Sequence, residues 1–424
     1  MNLLFLSTEN PYPVDGGHHL RTFYVLKLLA KRYNIYFVGF AQDREEFKYT
    51  PFIKPFCVSV DMFPVAKTGF NLRFLWLGVK NLFQKQPLIA RRYFTRRACS
   101  RIEEIIRDTN IDIVHVDMLA LGMYARLFRD LPAVLTNHNV ESLRLFRWLK
   151  HEKNTWKKLF LNLQYKKLKT FERLTCLAFE HCIAVSETDK LYLAKLCQRD
   201  HFSIIANGVD SDYFAPIEIE TQKKRLIWVG GMTGPYNADA VNFFLREIWP
   251  RVTRFSDDII LDIVGAGPTL PALSMAKKDN RIKIYGFVED IRPFVQRAAL
   301  FIAPIRSGSG TKLKVLNAMS QAKAVIATSV AAEGIEATDG QEIIIADDPA
   351  EFSSKMIYLL QNPAMAERIG LKAREVILKK YDWTVLADDM YKLYERKSVL
   401  NYNPVSITRK KWQQKKQLLT PQHK

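Results

Sequence analysis

The sequence predicts an α/β protein with two doubly wound domains. Short runs rich in β-branched and aromatic residues alternate with helical patterns along most of the 424 residues. This alternation is typical of parallel sheets with helices on both faces. The series of strands starts again after a polar stretch near Asp212–Thr221, and the length fits two or three domains. We therefore predict one domain at 1–212 and a second at 213–381.

Each predicted strand is a short apolar run bounded by turn residues or by a helical pattern. The first strand is followed by a glycine-bearing loop and a helix at about Leu20–Lys31. Strands of the first domain are predicted at Asn2–Ser7, Ile35–Phe40, Phe56–Val60, Ile111–Val116, Ala133–Thr136 and Cys182–Val185. Those of the second domain are predicted at Arg225–Val229, Ile259–Val264, Ile282–Tyr285, Leu300–Ala303, Ala324–Thr328 and Glu342–Ile345.

The chain is strongly basic, with 63 Lys and Arg against 44 Asp and Glu and a net charge of +19. The excess is uneven, because residues 221–395 hold 23 basic and 21 acidic residues. It lies on the first domain and on a basic tail at 398–424, which we expect to be flexible. Such a balance predicts an anionic partner. Nucleic acid is disfavoured, since no helix-turn-helix or aromatic RNA-binding signature accompanies the charge.

Two segments of the first domain combine basic and apolar residues at helical spacing. They span Phe70–Phe83 and Trp148–Phe171, and Met62–Ile102 carries nine basic residues and no acidic one. Basic amphipathic helices suit an anionic membrane surface, although a core-facing helix with a solvated basic side is the alternative. The five cysteines include no Cys-x-x-Cys pair, which favours a reduced compartment. We expect a cytoplasmic protein, peripheral on the inner face of the membrane.

Two candidate sites follow predicted strands of the first domain. Gly16 and Gly17 let a ligand approach the backbone, and the helix behind them favours negative charge. This loop lacks the Gly-x-Gly-x-x-Gly fingerprint, which disfavours an NAD-dependent oxidoreductase. His138 follows another strand, at the sheet edge where ligands of open α/β sheets bind. An ordinary turn and a loop histidine without a ligand remain the alternatives.

Two further candidate sites lie in the second domain. Residues 229–237 form a glycine-rich turn that leads into a helix. Either this turn binds a ligand or it is a tight turn without one. Residues 304–314 have more features of a binding site, because small residues begin a helix there beside three cations: Arg306, Lys312 and Lys314. Exposed backbone N–H groups and cations are what a diphosphate requires. Binding is therefore favoured over a plain Ser/Gly-rich cap.

Several motifs in this order resemble those of the GT-B glycosyltransferases. The resemblance is strongest to the retaining family-four enzymes, and among them to the sugar transferases of polysaccharide pathways. It covers nearly the whole chain to about Lys397, and its motifs are specific together rather than singly. The segments that carry it are Gly16–Arg21, His138–Glu141, Asn207–Asp210, Val264–Pro268, Ser307–Leu316, Ala331–Ile335 and Tyr381–Trp383.

The resemblance implies two Rossmann-like domains that face a cleft, with a last helix at 382–397 packing back on the first domain. It implies a hexosyltransferase-like enzyme that retains configuration. The donor, a UDP- or GDP-linked sugar, would bind mainly the second domain. The acceptor would be a glycan, with lipid-linked glycans included, and it would bind the first domain. No metal and no cofactor are expected.

The resemblance also implies roles for single residues. His138 would contact the donor sugar or its phosphate, and Gly16 and Gly17 would line the phosphate side. Ser309, Gly310 and Thr311 would hold the diphosphate. Relatives carry two glutamates at the positions of Ser309 and Asn317, so His138, Ser309 and Asn317 are the predicted catalytic residues.

Two departures from the family pattern bear on activity. Asn317 can hydrogen-bond the ribose hydroxyls, but without the charge of the relatives' carboxylate. Gly231 and Asn237 occupy the region where relatives place an Arg and a Lys, so Arg306, Lys312 or Lys314 would have to substitute. The alternative is a degenerate GT-B protein that binds a nucleotide or a partner without catalysis.

Overall fold

The computed structural model describes residues 1–14, 16–66, 72–152, 154–308 and 310–395. Ser309, the predicted tail at 398–424 and the end of the predicted last helix lie outside these ranges. The described chain forms two compact units, Met1–Ile205 with the residues from Ala387 on, and Ala206–Leu386. Val209 pairs with Asp382 in a parallel bridge, so the second unit begins before the predicted boundary at 212/213.

The first unit is built on a parallel sheet, seven-stranded in the described part of the chain, in the order β3-β2-β1-β4-β5-β6-β7. Buried apolar runs make its central strands, since both faces are covered. The predicted strand at Phe56–Val60 begins later, and a seventh strand was not predicted. The strands are β1 Asn2–Ser7, β2 Asn34–Ala41, β3 Ser59–Pro64, β4 Ile113–Asp117, β5 Ala133–Asn137, β6 His181–Ala184 and β7 Phe202–Ile204.

Helices lie between these strands, joined in places by short 3₁₀ segments. The α-helices are α1 Gly17–Leu29, α2 Thr50–Ile53, α3 Leu72–Leu82, α4 Leu88–Tyr93, α5 Arg96–Asp108, α6 Glu141–His151, α7 Thr155–Ala178 and α8 Glu187–Cys197. The 3₁₀ segments are Glu46–Tyr49, Lys54–Phe56 and Leu119–Leu127. Among the described helices, none has both the length and the apolarity needed to cross a bilayer.

The second unit has a parallel sheet of its own, six-stranded in the described part, in the order β10-β9-β8-β11-β12-β13. Its strands are β8 Gln222–Val229, β9 Ile260–Val264, β10 Ile282–Gly286, β11 Ala298–Ala303, β12 Ala324–Ala327 and β13 Ile344–Ile345. Its helices are α9 Pro235–Phe243, a π-helix Phe244–Ile248, α10 Trp249–Thr253, α11 Leu270–Lys278, α12 Arg292–Arg297, α13 Leu313–Ser320, α14 Ser329–Ala332, α15 Pro349–Gln361 and α16 Pro363–Lys380.

A last helix, α17 Trp383–Glu395, begins in the second unit and ends in the first. Two parallel sheets with helices between their strands confirm the predicted fold class of two Rossmann-like domains. The strand orders also decide which loops meet. β1, β4 and β5 are neighbours in one sheet, and β9, β8 and β11 are neighbours in the other. Because parallel strands end at one edge, the loops after each set lie close together.

Candidate functional site

In the first unit, the loop after β1 presents an open backbone. Gly16 precedes α1, accepts a hydrogen bond from the backbone N–H of Leu20 at 2.9 Å, and has no side-chain cap among the described residues. A Cβ built at Gly16 would meet only the Nδ1 of His19, at 4.0 Å. Gly17 is the first residue of α1. The start of the helix is therefore exposed, and anion binding by Gly16 and Gly17 stays a prediction.

His138 lies just beyond β5, beside the last residue of β4. Its Nε2 is 2.7 Å from Oδ1 of Asp117, and both side chains are buried. Burial lowers the pKa of His138 to about 4, against the pull of Asp117. Burial alone would raise the pKa of Asp117, but His138 and His115 hold that pKa well below its usual range. A neutral His138 thus donates from Nε2 to an ionised Asp117, which fixes its ring.

Sequence reasoning missed two residues beside His138. The ring of His18 meets the ring of His138 edge-on, with the centroids 4.7 Å apart. His18 is hydrogen-bonded through Nδ1 to Glu9, in the loop after β1. Asp117 was also missed, although its place at the carboxyl end of a strand is the signal that indicated His138.

His18, Asp117 and His138 place their possible ligand atoms within 4.8 Å of one another. Ligands of one small cation, each about 2 Å from it, stand roughly 3 Å or more apart. The 2.7 Å between His138 and Asp117 is a hydrogen-bond distance. His138 and Asp117 are therefore hydrogen-bonded to each other, while His18 lies beside them and is bonded to Glu9.

In the second unit, the loop after β8 meets α13 at a lysine. The Nζ of Lys314 donates to Oδ1 of Asn237 at 2.9 Å and lies 4.2 Å from the ring centre of Trp228. The Nδ2 of Asn237 donates to the carbonyl of Gly231 at 2.6 Å. A Cβ on Gly230, whose φ is +149°, would come within 2.1 Å of that Nζ. The missing side chain at Gly230 therefore makes room for the amine.

Burial lowers the pKa of Lys314 to about 7, and the neighbouring cation of Lys312 lowers it further. An amine in this state gains its charge most readily when an anion arrives beside it. Gly231, Asn237 and Lys314, predicted separately, are thus in contact.

The loop between β11 and α13 has the backbone of a glycine-rich turn. Gly308 has a φ of +132° and Gly310 a φ of +72°, conformations that favour glycine. Lys312 precedes α13, and its Nζ donates to the carbonyl of Gly310. Thr311 is buried, with its hydroxyl 3.4 Å from the carbonyl oxygen of Gly334.

Arg306 makes a different contact from the other two cations. Its Nη2 is 2.6 Å from Oδ1 of Asp239, on α9, and its guanidinium lies 4.2 Å from the ring centre of Phe243. This ion pair balances the charge of Arg306. Lys314 instead bonds Asn237, at the end of the glycine-rich turn after β8.

Asn317 lies on α13, three residues after Lys314, so both project from one side of the helix. The side chain of Asn317 is 8% exposed. Its Oδ1 has no hydrogen-bond partner among the described residues. Buried polar atoms in native proteins are rarely left unpaired, so this oxygen is available to a hydrogen-bond donor.

Two family models match the chain. One described as Glycosyltransferase Family 4 matches residues 16–213, and one described as Glycosyl transferases group 1 matches residues 223–362. The chain is 21% identical over 412 residues to an uncharacterized 44.6 kDa protein of the cps region of Klebsiella pneumoniae, covering 92% of this chain and 99% of that one.

Two other proteins extend the likeness. Phosphatidyl-myo-inositol mannosyltransferase of Mycobacterium leprae is 24% identical over 319 residues, which cover 72% of this chain and 79% of that one. The structure of Anabaena HepE in complex with UDP superposes with a TM-score of 0.66 at 13% identity, covering 93% of this chain and 99% of that one. Together with the two parallel sheets, these matches show that the chain is a GT-B glycosyltransferase similar to family four.

Proposed function

We propose that the enzyme transfers a hexose from a UDP- or GDP-linked donor to a glycan acceptor, including a lipid-linked one, with retention of configuration. The observation that carries the proposal is the contact between Lys314, Asn237 and the glycine loop after β8. A half-buried amine beside open backbone suits a diphosphate. The UDP bound by HepE and the lipid named for the mycobacterial mannosyltransferase support this choice of substrates.

The proposed transfer is a front-face displacement. The bond between the sugar and the diphosphate breaks as the acceptor oxygen bonds to the same carbon, and the departing diphosphate takes the acceptor's proton. Lys314 and the backbone N–H groups at the start of α13 stabilise the charge that develops on the diphosphate. His138 orients the donor sugar, Ser309 lies where relatives have a carboxylate, and Asn317 binds the ribose. No metal ion and no cofactor are needed in this scheme.

A thermal-shift panel with UDP, GDP, ADP and their sugars tests the donor. We expect one diphosphate series to raise the melting temperature clearly, because ligands that bind the native state stabilise it. Product analysis by NMR then gives the anomeric configuration, and EDTA should leave the rate unchanged. Absence of any shift, together with no released nucleotide, would favour the degenerate alternative, for which the loss of the relatives' carboxylate at Asn317 is the supporting observation.

We also propose that the first unit docks on an anionic membrane surface from the cytoplasmic side. Helices α3 and α7 are joined where Gln164 Nε2 donates to Asn81 Oδ1 at 2.9 Å and Lys167 Nζ donates to the Asn81 carbonyl at 2.6 Å. Both helices, and the residue directly after α3, leave large apolar side chains exposed by between 43% and 88%. These side chains are Trp76, Val79, Leu82, Phe83, Trp156 and Leu159.

Basic residues accompany these side chains. Lys80 lies 4.8 Å from the ring centre of Trp76, and Lys157 lies 5.1 Å from that of Trp148. Exposed aromatic rings beside lysines match the headgroup region of an anionic bilayer, where apolar burial and charge attraction add. Such docking would bring the enzyme to a lipid-linked acceptor.

Liposome flotation tests the membrane proposal. The protein should float with anionic vesicles and much less with neutral ones, and Phe83→Ser with Trp156→Ser should reduce flotation several-fold. Phe287→Ser is the matched control, because Phe287 is 69% exposed on the second unit. Equal flotation of all variants, or none of the wild type, would contradict the proposal.

A further inference from the structure

Arginines gather where helix α4 leads into helix α5 in the first unit. Residues 91–97 read Arg-Arg-Tyr-Phe-Thr-Arg-Arg, and Arg126 joins them from the 3₁₀ segment after β4. The guanidinium carbons of Arg91 and Arg126 lie 5.8 and 4.8 Å from the ring centre of Phe94. Arg91, its neighbour Arg92 and Arg126 form what we call the arginine cluster.

No ion pair balances the charge of the arginine cluster within the described ranges. Asp61, on β3, pairs instead with Arg101, at 2.9 Å between Oδ1 and Nε. The segment Met62–Ile102, which supplies two of the three arginines, holds no acidic residue. All three side chains are half-buried, so like charges are held together with reduced access to water. Such an arrangement attracts an anion.

Two guanidinium nitrogens of the cluster are buried and have no hydrogen-bond partner among the described residues: Nη2 of Arg92 and Nε of Arg126. Other nitrogens hold the same groups in place. Nε of Arg92 donates to the carbonyl of Ala66 at 2.6 Å, and Nη2 of Arg126 donates to Sγ of Cys99 at 3.7 Å. Buried donors are rarely left unpaired in native proteins. Fixed guanidinium donors suit a phosphate, whose oxygens accept several of them at once.

Helix α4 joins the arginine cluster to two other features of the first unit. It packs against α3, which carries the exposed Trp76, and against the 3₁₀ segment after β4. Ile89 of α4 lines a cavity together with Leu119, Ala120 and His138. A phosphate at the cluster would therefore lie between the proposed membrane-facing helix and the residue proposed to orient the donor sugar.

We infer that the arginine cluster binds the phosphate group of a lipid phosphate, and that the acceptor belongs to this chemical class. The inference rests on the proposed function, in which the acceptor includes lipid-linked glycans. Arg92 and Arg126 donate to the phosphate oxygens, and Arg91 adds charge. The lipid chain lies toward α3, where exposed apolar side chains suit it. The sugar end of the acceptor lies toward the cavity beside His138.

Flotation with two kinds of phosphatidylcholine vesicle tests the inference. One kind contains phosphatidic acid, which is a lipid phosphate monoester, and the other contains phosphatidylglycerol at matched surface charge. Wild type should bind the phosphatidic acid vesicles more tightly. Arg92→Gln combined with Arg126→Gln should lower that affinity about tenfold or more, because charge-assisted hydrogen bonds are lost, and should change the affinity for phosphatidylglycerol vesicles much less.

Two further variants separate binding from charge and from folding. Arg107→Gln combined with Lys48→Gln is the matched control, since it removes two exposed cations from the same unit, and each of them pairs with a carboxylate nearby in sequence. This control should keep the preference for phosphatidic acid. Arg92→Lys keeps the charge and the packed stem but loses the planar fork, so it should bind phosphatidic acid vesicles several-fold more weakly than wild type even if the double variant does not fold.

Equal losses for both kinds of vesicle would overturn the inference and leave the arginines as part of a general anionic docking surface. Calorimetry with soluble dihexanoyl phosphatidic acid and with inorganic phosphate adds a second check. Equal cluster-dependent affinity for the two ligands would overturn the assignment to a lipid, because the chains would then contribute nothing.

The flotation needs no turnover, so the inference and the proposed function fail separately. If a nucleotide raises the melting temperature while the two kinds of vesicle bind alike, only the inference is lost. If phosphatidic acid is preferred but no nucleotide binds, the cluster is a lipid phosphate site and the proposed transfer is lost.

Discussion

At the scale of single residues, Lys314 is the group whose charge most directly affects the proposed donor site. Lys314→Met keeps the length of the side chain and removes the amine. We expect nucleoside diphosphate to bind about tenfold or more weakly, as for the loss of one charge-assisted hydrogen bond. Calorimetry at pH 7 measures the change. Lys312→Met, whose amine bonds a backbone carbonyl of its own loop, is the control and should cost less.

The pH dependence of that affinity has a definite sign. The pKa of Lys314 in the free protein is about 7, and a bound diphosphate favours the charged amine. Binding above this pH must therefore take up a proton, so affinity falls as pH rises from about 7 to 8.5. A wild type with a flat profile over this range would show that the amine does not meet the ligand.

Asn317 offers a second residue-scale prediction. If its unpartnered Oδ1 accepts from a ribose hydroxyl, wild type should bind the ribonucleotide several-fold more tightly than the 2′,3′-dideoxynucleotide, in line with about 1 kcal/mol per hydrogen bond. Asn317→Ala should bind the two ligands equally. Discrimination that survives in Asn317→Ala would place the ribose elsewhere.

At the scale of elements, helix α6 begins at a buried carboxyl group. Glu172, on α7, accepts hydrogen bonds from the backbone N–H of Glu141, at 2.7 Å, and from the Ser142 hydroxyl. Burial raises the pKa of Glu172 to about 8, although the hydrogen bond from Ser142 offsets part of the effect. A raised pKa in the folded state means that this group favours folding in its protonated form.

The free energy of unfolding should therefore decline between about pH 5 and pH 8, by at most roughly 1.4 kcal/mol per pH unit from this group. Glu172→Gln cannot ionise and should show a flatter dependence of stability on pH. Denaturant unfolding at several pH values measures both proteins. Parallel stability curves would mean that Glu172 keeps the same protonation state on unfolding.

The sequence was a good guide to elements whose character is local. Strand β1 was predicted at Asn2–Ser7 and has those bounds. An apolar run that is buried on both faces can be recognised as a strand from its own residues. Strand β7 was not predicted, since Phe202–Ile204 is three residues long and pairs only at a sheet edge.

Contacts between residues far apart in the sequence could not be predicted from the sequence. Arg306 was predicted to meet a ligand, yet it pairs with Asp239 across 67 positions of sequence. The pairing of Glu9 with His18 depends on the path of a loop, which no periodicity encodes. Residue types at strand ends were therefore predictable, and their partners were not.

At the scale of the whole molecule, the first unit is completed by the end of the chain. Tyr394, on α17, is fully buried and hydrogen-bonded to Nδ1 of His115, while the Tyr391 hydroxyl donates to the carbonyl of Leu28 at 2.8 Å. Residues 1–205 therefore share one core with residues far along the sequence.

Tyr394→Ala should destabilise the first unit by about 3–5 kcal/mol, since it leaves a cavity and removes the partner of the buried His115 Nδ1. Tyr394→Phe, which loses only the hydroxyl, should cost less. Hydrogen exchange read by mass spectrometry should show faster exchange in β1 and β4 and little change in β8 and β11. Uniform acceleration in both sheets would contradict this division into units.

The amine of Lys314, 4.2 Å from the ring centre of Trp228, has one more consequence. Indole emission responds to a charge beside the ring, and the arrival of a diphosphate would change both the protonation of that amine and its field. Trp228 would then act as a built-in optical reporter. Nucleotide binding could then be followed in real time on the unlabelled protein, by the change in fluorescence of this residue.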